Sequence, residues 1–158
     1  MVSRSDITIR EAGEADIEGI AFMGARFFDE AQWSDVVEWD HDSVCSTLRM
    51  MLSDERGILL VAQRGDELVG MAGGMVYPLY FNHNHLTGQE LFWWVDPAFR
   101  GEVGLPLMSK MEERAMSAGA KSWAMIALDK VRPEATGAIY RRRGYRASEH
   151  SYIKRLAA

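Results

Sequence analysis

Residues Glu90 to Ala120 read ELFWWVDPAFRGEVGLPLMSKMEERAMSAGA. The apolar run Leu91 to Val95 has the length and composition of a buried strand. Asp96-Pro97 breaks it. Arg100-Gly101-Glu102-Val103-Gly104 then makes a short basic turn that carries glycine at both ends of its variable pair. Helical spacing follows at once, with Leu105, Met108, Met111 and Ala115 on one stripe. A strand, a glycine turn and a helix N-terminus together suit a phosphate. The first helical N–H groups have no partner along the helix, and the helix dipole favours negative charge there. The stretch therefore predicts binding of a phosphorylated ligand.

Working outward, Ile7 to Arg10 alternates apolar and polar and reads as a first strand. Glu14-Ala15-Asp16 places acids at the start of a helix that carries Ile17, Ile20, Ala21, Met23 and Phe27-Phe28. A second helix is expected from about Asp42 to Leu52. Ile58 to Ala62 and Glu67 to Tyr77, joined by Arg64-Gly65-Asp66, predict an antiparallel hairpin. Gly70, Gly73 and Gly74 inside its second arm mark a bulge or a close backbone approach. Tyr80 to Gly88 reads as a polar connector leading into the opening stretch. After it come a strand over Ser122 to Leu128 and a helix over Pro133 to Arg143 ended by Gly144. Tyr145 to Leu156 reads as a last strand or pair of strands. This order predicts an α/β (α+β) fold, a mixed and mostly antiparallel sheet of six to seven strands flanked by about four helices.

At 158 residues the chain is expected to be one domain over 1–158. Its 47% hydrophobic and 26% charged residues are ordinary for a globular protein. The net charge of −5 argues against a nucleic-acid partner, which needs clustered Lys and Arg. The single cysteine, Cys45, excludes an intrachain disulfide and points to a reducing compartment, where it is expected as an inert buried thiol. No signal-peptide core and no apolar window of membrane-spanning length is present, so the expected location is cytoplasmic, without a membrane partner.

Val95-Asp96-Pro97-Ala98-Phe99-Arg100-Gly101 matches a V-x-P-x-x-R-G pattern, and Ile139-Tyr140-Arg141-Arg142-Arg143-Gly144-Tyr145 matches an L-Y-x-x-x-G-F pattern. With the N-terminal TIREAGEADIEGI, these segments stand in the order seen in the GNAT superfamily of N-acetyltransferases, which the chain resembles over nearly its whole length. The family's loop reads R-G-x-G-x-G. Here it runs Arg100-Gly101-Glu102-Val103-Gly104-Leu105, one glycine fewer, with Pro106 in the first turn of the helix.

The resemblance implies acetyl-CoA as co-substrate, with a sheet splayed at its central strands. Loop N–H groups of Arg100, Gly101, Glu102, Val103, Gly104 and Leu105 would hold the pyrophosphate, and Arg100 would add charge. The strand ending at Trp94 and Val95 would pair with the pantetheine arm as an added strand does. Glu90 would act as general base, directly or through water, its pKa raised by an apolar setting beside Phe92 and Trp94. Tyr140 occupies the position of the family's thiolate-protonating tyrosine. The acceptor would be a small-molecule or peptide amine, the transfer direct within a ternary complex, and the assembly a homodimer.

His83 and His85 form an H-x-H pair, but a zinc site wants three or four ligands and neither Cys45 nor a neighbouring acid completes one. No metal is expected. The segment Asp29 to Asp42 interleaves six acids with Trp33 and Trp39 and has no Lys or Arg, which suits a cationic amine as well as plain solvation. Two alternatives stay open: a coenzyme A-binding module without catalysis, and a protein-interaction domain that uses this acidic segment.

Overall fold

The computed structural model describes residues 6–157. Five strands form one sheet in the order β1-β2-β3-β4-β5: β1 (Ile7–Glu11), β2 (Gly57–Arg64), β3 (Glu67–Leu79), β4 (Asn82–Val95) and β5 (Ser122–Ala124). The first four are antiparallel neighbours, and β5 joins β4 in parallel. Four helices complete the fold: α1 (Ile17–Glu30), α2 (His41–Ser53), α3 (Arg100–Ser117) and α4 (Pro133–Arg142).

Alternation along β2 sorts the core into two layers. Leu59 and Val61 pack with Ile17, Ile20 and Leu48 from α1 and α2. Ile58, Leu60 and Ala62 pack with Val103, Leu107 and Met111 from α3. The parallel crossover from β4 to β5 through α3 puts that helix on the face opposite α1 and α2. Gly119, at φ 90°, closes α3, and Ala120 N–H donates to Ala115 C=O at 2.9 Å.

Several expectations are corrected. The sheet has five strands, not six to seven, because Tyr145 to Leu156 forms no strand; the Tyr145 hydroxyl instead donates to Glu112 on α3 at 2.7 Å. The expected connector Tyr80 to Gly88 is mostly strand, since β4 starts at Asn82 and continues the hairpin through Tyr77↔Thr87 and Pro78↔Leu86. The strand expected over Ser122 to Leu128 stops at Ala124. The turn at Arg100 to Gly104 is already helix: Asp96 caps a 3-10 turn over Pro97–Phe99, its carboxylate accepting from Ala98 N–H at 2.9 Å, and α3 continues directly. Its buried stripe is Val103, Leu107, Met111 and Ala115 with Met108, while Leu105 is exposed. Pro106 consequently lies in the helix interior, not its first turn.

The glycines of β3 do what their placement implied. The register shifts between Gly73 and Gly74, leaving Leu91 of β4 as the extra residue between Glu90 and Phe92. The Trp123 ring lies across Gly74 and Gly88. A Cβ on Gly74 would stand 2.5 Å from both the Gln89 carbonyl oxygen and that ring. Gly74→Ala is expected to destabilise the protein by about 1–3 kcal/mol in chemical denaturation. Gly101→Ala, whose Cβ meets nothing within 4 Å, should leave stability unchanged or slightly raised.

Candidate active site

β4 and β5 pair only from Thr87↔Ser122 to Gln89↔Ala124. Beyond that point β4 runs on to Val95 with β3 as its neighbour, and the chain after Ala124 leaves the sheet. The two parallel strands thus part as a fork, and the backbone edge of β4 from Glu90 to Val95 faces the opening.

Glu90 sits at the crotch of the fork. It is 5% exposed, and its Oε2 accepts the Ile126 N–H at 3.0 Å. The Tyr140 hydroxyl, from α4, donates to the carbonyl of the same Ile126 at 2.6 Å. Ile126, two residues beyond β5, is therefore held from both sides, by a strand and by a helix. Burial pushes the Glu90 carboxyl up to about 7, the single Ile126 N–H only partly opposing it. The Tyr140 phenol is also pushed up, first by burial, then by the charges of Glu90 and Tyr145. Its ring centroid lies 6.0 Å from that of Trp93 and 5.7 Å from that of Tyr145, an aromatic wall beside the fork.

The other end of the open edge is fixed by charge. Both Glu30 oxygens accept from the Arg100 guanidinium at 2.7 Å, and Oε2 also accepts from the Trp94 indole at 2.9 Å. Burial raises the Glu30 carboxyl, but the indole and the guanidinium outweigh it and hold the group below the usual range. Arg26 lies over the Trp94 ring at 4.8 Å and pairs with Asp96 at 2.8 Å. The end of α1 is thereby tied to the start of α3.

The predicted site residues fall into place unevenly. Glu90 and Tyr140 meet at Ile126. Trp94 and Val95 end the open strand edge. Arg100 is committed to Glu30 and to the Val95 carbonyl, which accepts from its Nε at 3.1 Å. Gly101 and Glu102 are exposed in the first turn of α3, and Gly101 has open space where a side chain would be. Val103, Gly104 and Leu105 lie beyond the positions whose N–H groups an α-helix leaves without internal partners. Gly104 instead packs on Trp93, its carbonyl accepting from the Trp93 indole at 3.1 Å. His85 bonds the Ser122 hydroxyl at 2.9 Å, while His83 is exposed. Of the acidic segment, Glu30 is used as above and Asp40 caps α2, accepting from Ser43 N–H at 2.9 Å.

Residues 23–145 match the Acetyltransferase (GNAT) family. The chain belongs to the GNAT family. Solved structures share its fold. A transcriptional regulator from Bacillus halodurans is 24% identical at a TM-score of 0.76, covering 95% of this chain and 99% of its own. A predicted acetyltransferase from Clostridium acetobutylicum, solved with acetyl-CoA, is 15% identical at 0.73, covering 95% and 96%. AAC(6')-Iy, solved with the bisubstrate analogue CoA-S-monomethyl-acetylneamine, is 14% identical at 0.78, covering 98% and 100%. No curated protein matches the chain. No helix among the described residues is long and apolar enough to cross a membrane.

Residue-by-residue reading of this GNAT chain missed Ile126, which contributes only backbone, and Glu30, read as one acid among six.

The Glu90 shift has a sign that can be checked. Its carboxyl rises from 4.5 to about 7 on folding, so the unfolded chain loses this proton first. Stability from this group is intact below pH 4.5, falls as pH rises to about 7, and levels off above that. The fall is on the order of 3 kcal/mol. Glu90→Gln keeps an acceptor for Ile126 N–H, and its unfolding free energy is expected to lack this fall when both proteins are titrated across the range.

Proposed function

We propose that this chain is an acetyl-CoA-dependent N-acetyltransferase that acetylates a primary amine by direct transfer in a ternary complex. The observation that carries this reading is a buried carboxyl, poised near neutrality, at the crotch of a strand fork in a chain of the GNAT family.

The residues present fit the coenzyme. The edge of β4 up to Trp94 and Val95 offers backbone groups to an amide-bearing arm, as in β-augmentation. The first turn of α3 offers N–H groups at Arg100 and Gly101 and the positive end of a helix to a pyrophosphate, with room at Gly101 for close approach. When bound, the coenzyme supplies an activated acetyl thioester.

Glu90 takes a proton from the ammonium of the acceptor, directly or through a water, leaving a nitrogen lone pair to attack. A carboxyl titrating near pH 7 can do this and release the proton to solvent afterwards. The backbone edge of β4 beside Glu90 polarises the acyl carbonyl, while the edge nearer Trp94 and Val95 pairs with the arm. Tyr140 gives a hydrogen bond, and then a proton, to the departing sulfur, turning its hydroxyl from the Ile126 carbonyl toward the opening. Its raised pKa keeps the phenol protonated until that moment. As the amide forms, the nitrogen sheds its second proton, which restores the Tyr140 phenol; the amine keeps the acetyl group, and the sulfur leaves as a thiol. The bisubstrate analogue on AAC(6')-Iy supports a small-molecule amine as the acceptor class.

Acetyl-CoA is expected to give saturable heat in calorimetry, and a panel of amines should release free thiol. Glu90→Gln should lower kcat by about 10²–10⁴-fold. The wild-type kcat/KM should rise with pH through an apparent pKa of about 7, a limb the variant lacks. Absence of heat at high coenzyme concentration would sink the reading. An acetylated enzyme trapped without acceptor would overturn direct transfer. Binding without any turnover, unchanged by Glu90→Gln and Tyr140→Phe, would favour the non-catalytic coenzyme-binding module.

A further inference from the structure

Away from the fork, α1 and α2 bring together three side chains of metal-binding chemistry that acetyl transfer does not use. His41 opens α2, and Cys45 follows four residues later on the same face. Glu18, in the first turn of α1, reaches the same point. His41 Nε2 lies 3.0 Å from Glu18 Oε2, Cys45 Sγ lies 3.5 Å from His41 Nε2, and Cys45 Sγ lies 3.8 Å from Glu18 Oε1. A tetrahedral zinc centre, with bonds of about 2.0–2.3 Å, sets its ligand atoms roughly 3.4–3.6 Å apart. Glu18 meets the imidazole and the sulfur through different oxygens, and one ligand atom from each of the three residues lies within 4.8 Å of the other two, so a small turn of the carboxylate brings all three within reach of one ion.

The surroundings suit a cation. The field at the sulfur is made negative by Glu18 and Asp42, with Arg49 opposing in part. Arg49 is itself engaged by Glu14 at 2.8 Å. The sulfur forms a buried floor, 4% exposed, while the His41 and Glu18 side chains are 48% and 74% exposed. An ion can enter from solvent, and a fourth position is left for water. A thiolate, an imidazole and a carboxylate together favour Zn²⁺ or Co²⁺ over Mg²⁺ or Ca²⁺.

We propose that Glu18, His41 and Cys45 form a three-ligand site for a divalent cation of the zinc class, with water as fourth ligand, that pins α1 to α2. On binding, the Cys45 thiol releases its proton to solvent and the thiolate bonds the metal; no redox change is involved. The site is separate from the fork and does not depend on the proposed acetyl transfer.

Cobalt(II) titrated into chelator-treated protein is the test. One equivalent should produce a thiolate-to-cobalt charge-transfer band in the near ultraviolet, which Zn²⁺ abolishes by displacement. Zn²⁺ should also raise the Tm. Cys45→Ser should remove the band. His41→Ala and Glu18→Gln, at solvent-facing positions that leave the core intact, should weaken Co²⁺ and Zn²⁺ binding at least about tenfold. A His83→Ala, His85→Ala double variant should behave as wild type. The proposal is overturned if wild type gives no charge-transfer band, if the band survives Cys45→Ser, if neither His41→Ala nor Glu18→Gln weakens binding, or if only the His83, His85 variant loses the Zn²⁺ effect.

Discussion

The two-sided grip on Ile126 is the contact on which the geometry of the fork depends. β5 offers three paired residues and then lets go of the sheet. Past that point, Glu90 holds the Ile126 N–H and Tyr140 holds its carbonyl. Ile126 is held at both its N–H and its carbonyl, so the closed position of this side of the fork is set by one carboxyl and one phenol. Any neutral acceptor at position 90 would satisfy the Ile126 N–H. A carboxyl there costs stability once it ionises, because burial disfavours its charge. Such a cost is more readily explained by chemistry than by architecture.

The far end of the open edge has the opposite electrostatic character. Glu30, Arg100, Arg26 and Asp96 are all charged, mutually paired and gathered around the Trp94 indole. Here the ions are held in their charged forms, whereas Glu90 is pushed toward neutrality. The open strand edge thus runs from a protonatable end to a permanently ionic one. The ionic end also fixes where α3 begins relative to α1, and so where the positive end of the helix points.

Most elements were legible in the chain because each carries an apolar stripe or run: α1, α2, the β2–β3 hairpin and the second half of β4 from Leu91 to Val95. The misreadings share a cause. Asn82 to Gly88 is polar and histidine-bearing, with little intrinsic strand character, and is drawn into β4 by pairing with β3, an override no local window contains. The start of α3 came earlier than expected because the Asp96 side chain organises the preceding turn, so residues read as a loop are helical. Tyr145 looked like the start of a strand but finds Glu112 instead. Glu90 and Tyr140 were singled out through family resemblance, and the structure brings them together at Ile126. Their common partner was not legible, since a main-chain peptide has no side-chain signature. The same holds for Cys45, whose neighbours come from four residues away and from another helix.

The order of strands in the sheet has a consequence for how the molecule comes apart. From β1 to β4, neighbours in space follow in chain order, and the β2–β3 and β3–β4 pairings are closed by short turns. Among the described strands β5 alone joins in parallel, by a crossover through α3, and it contributes three residues to the ladder. Amides of the four-strand meander should therefore resist solvent exchange most strongly, while the segment from Ser122 to Tyr140 opens in smaller, more frequent excursions. The Ile126 peptide belongs to that loosely held segment, and Glu90 to the most protected one. The fork thus joins a rigid jaw to a breathing one, so it can be undone by local opening while the rest of the sheet stays intact.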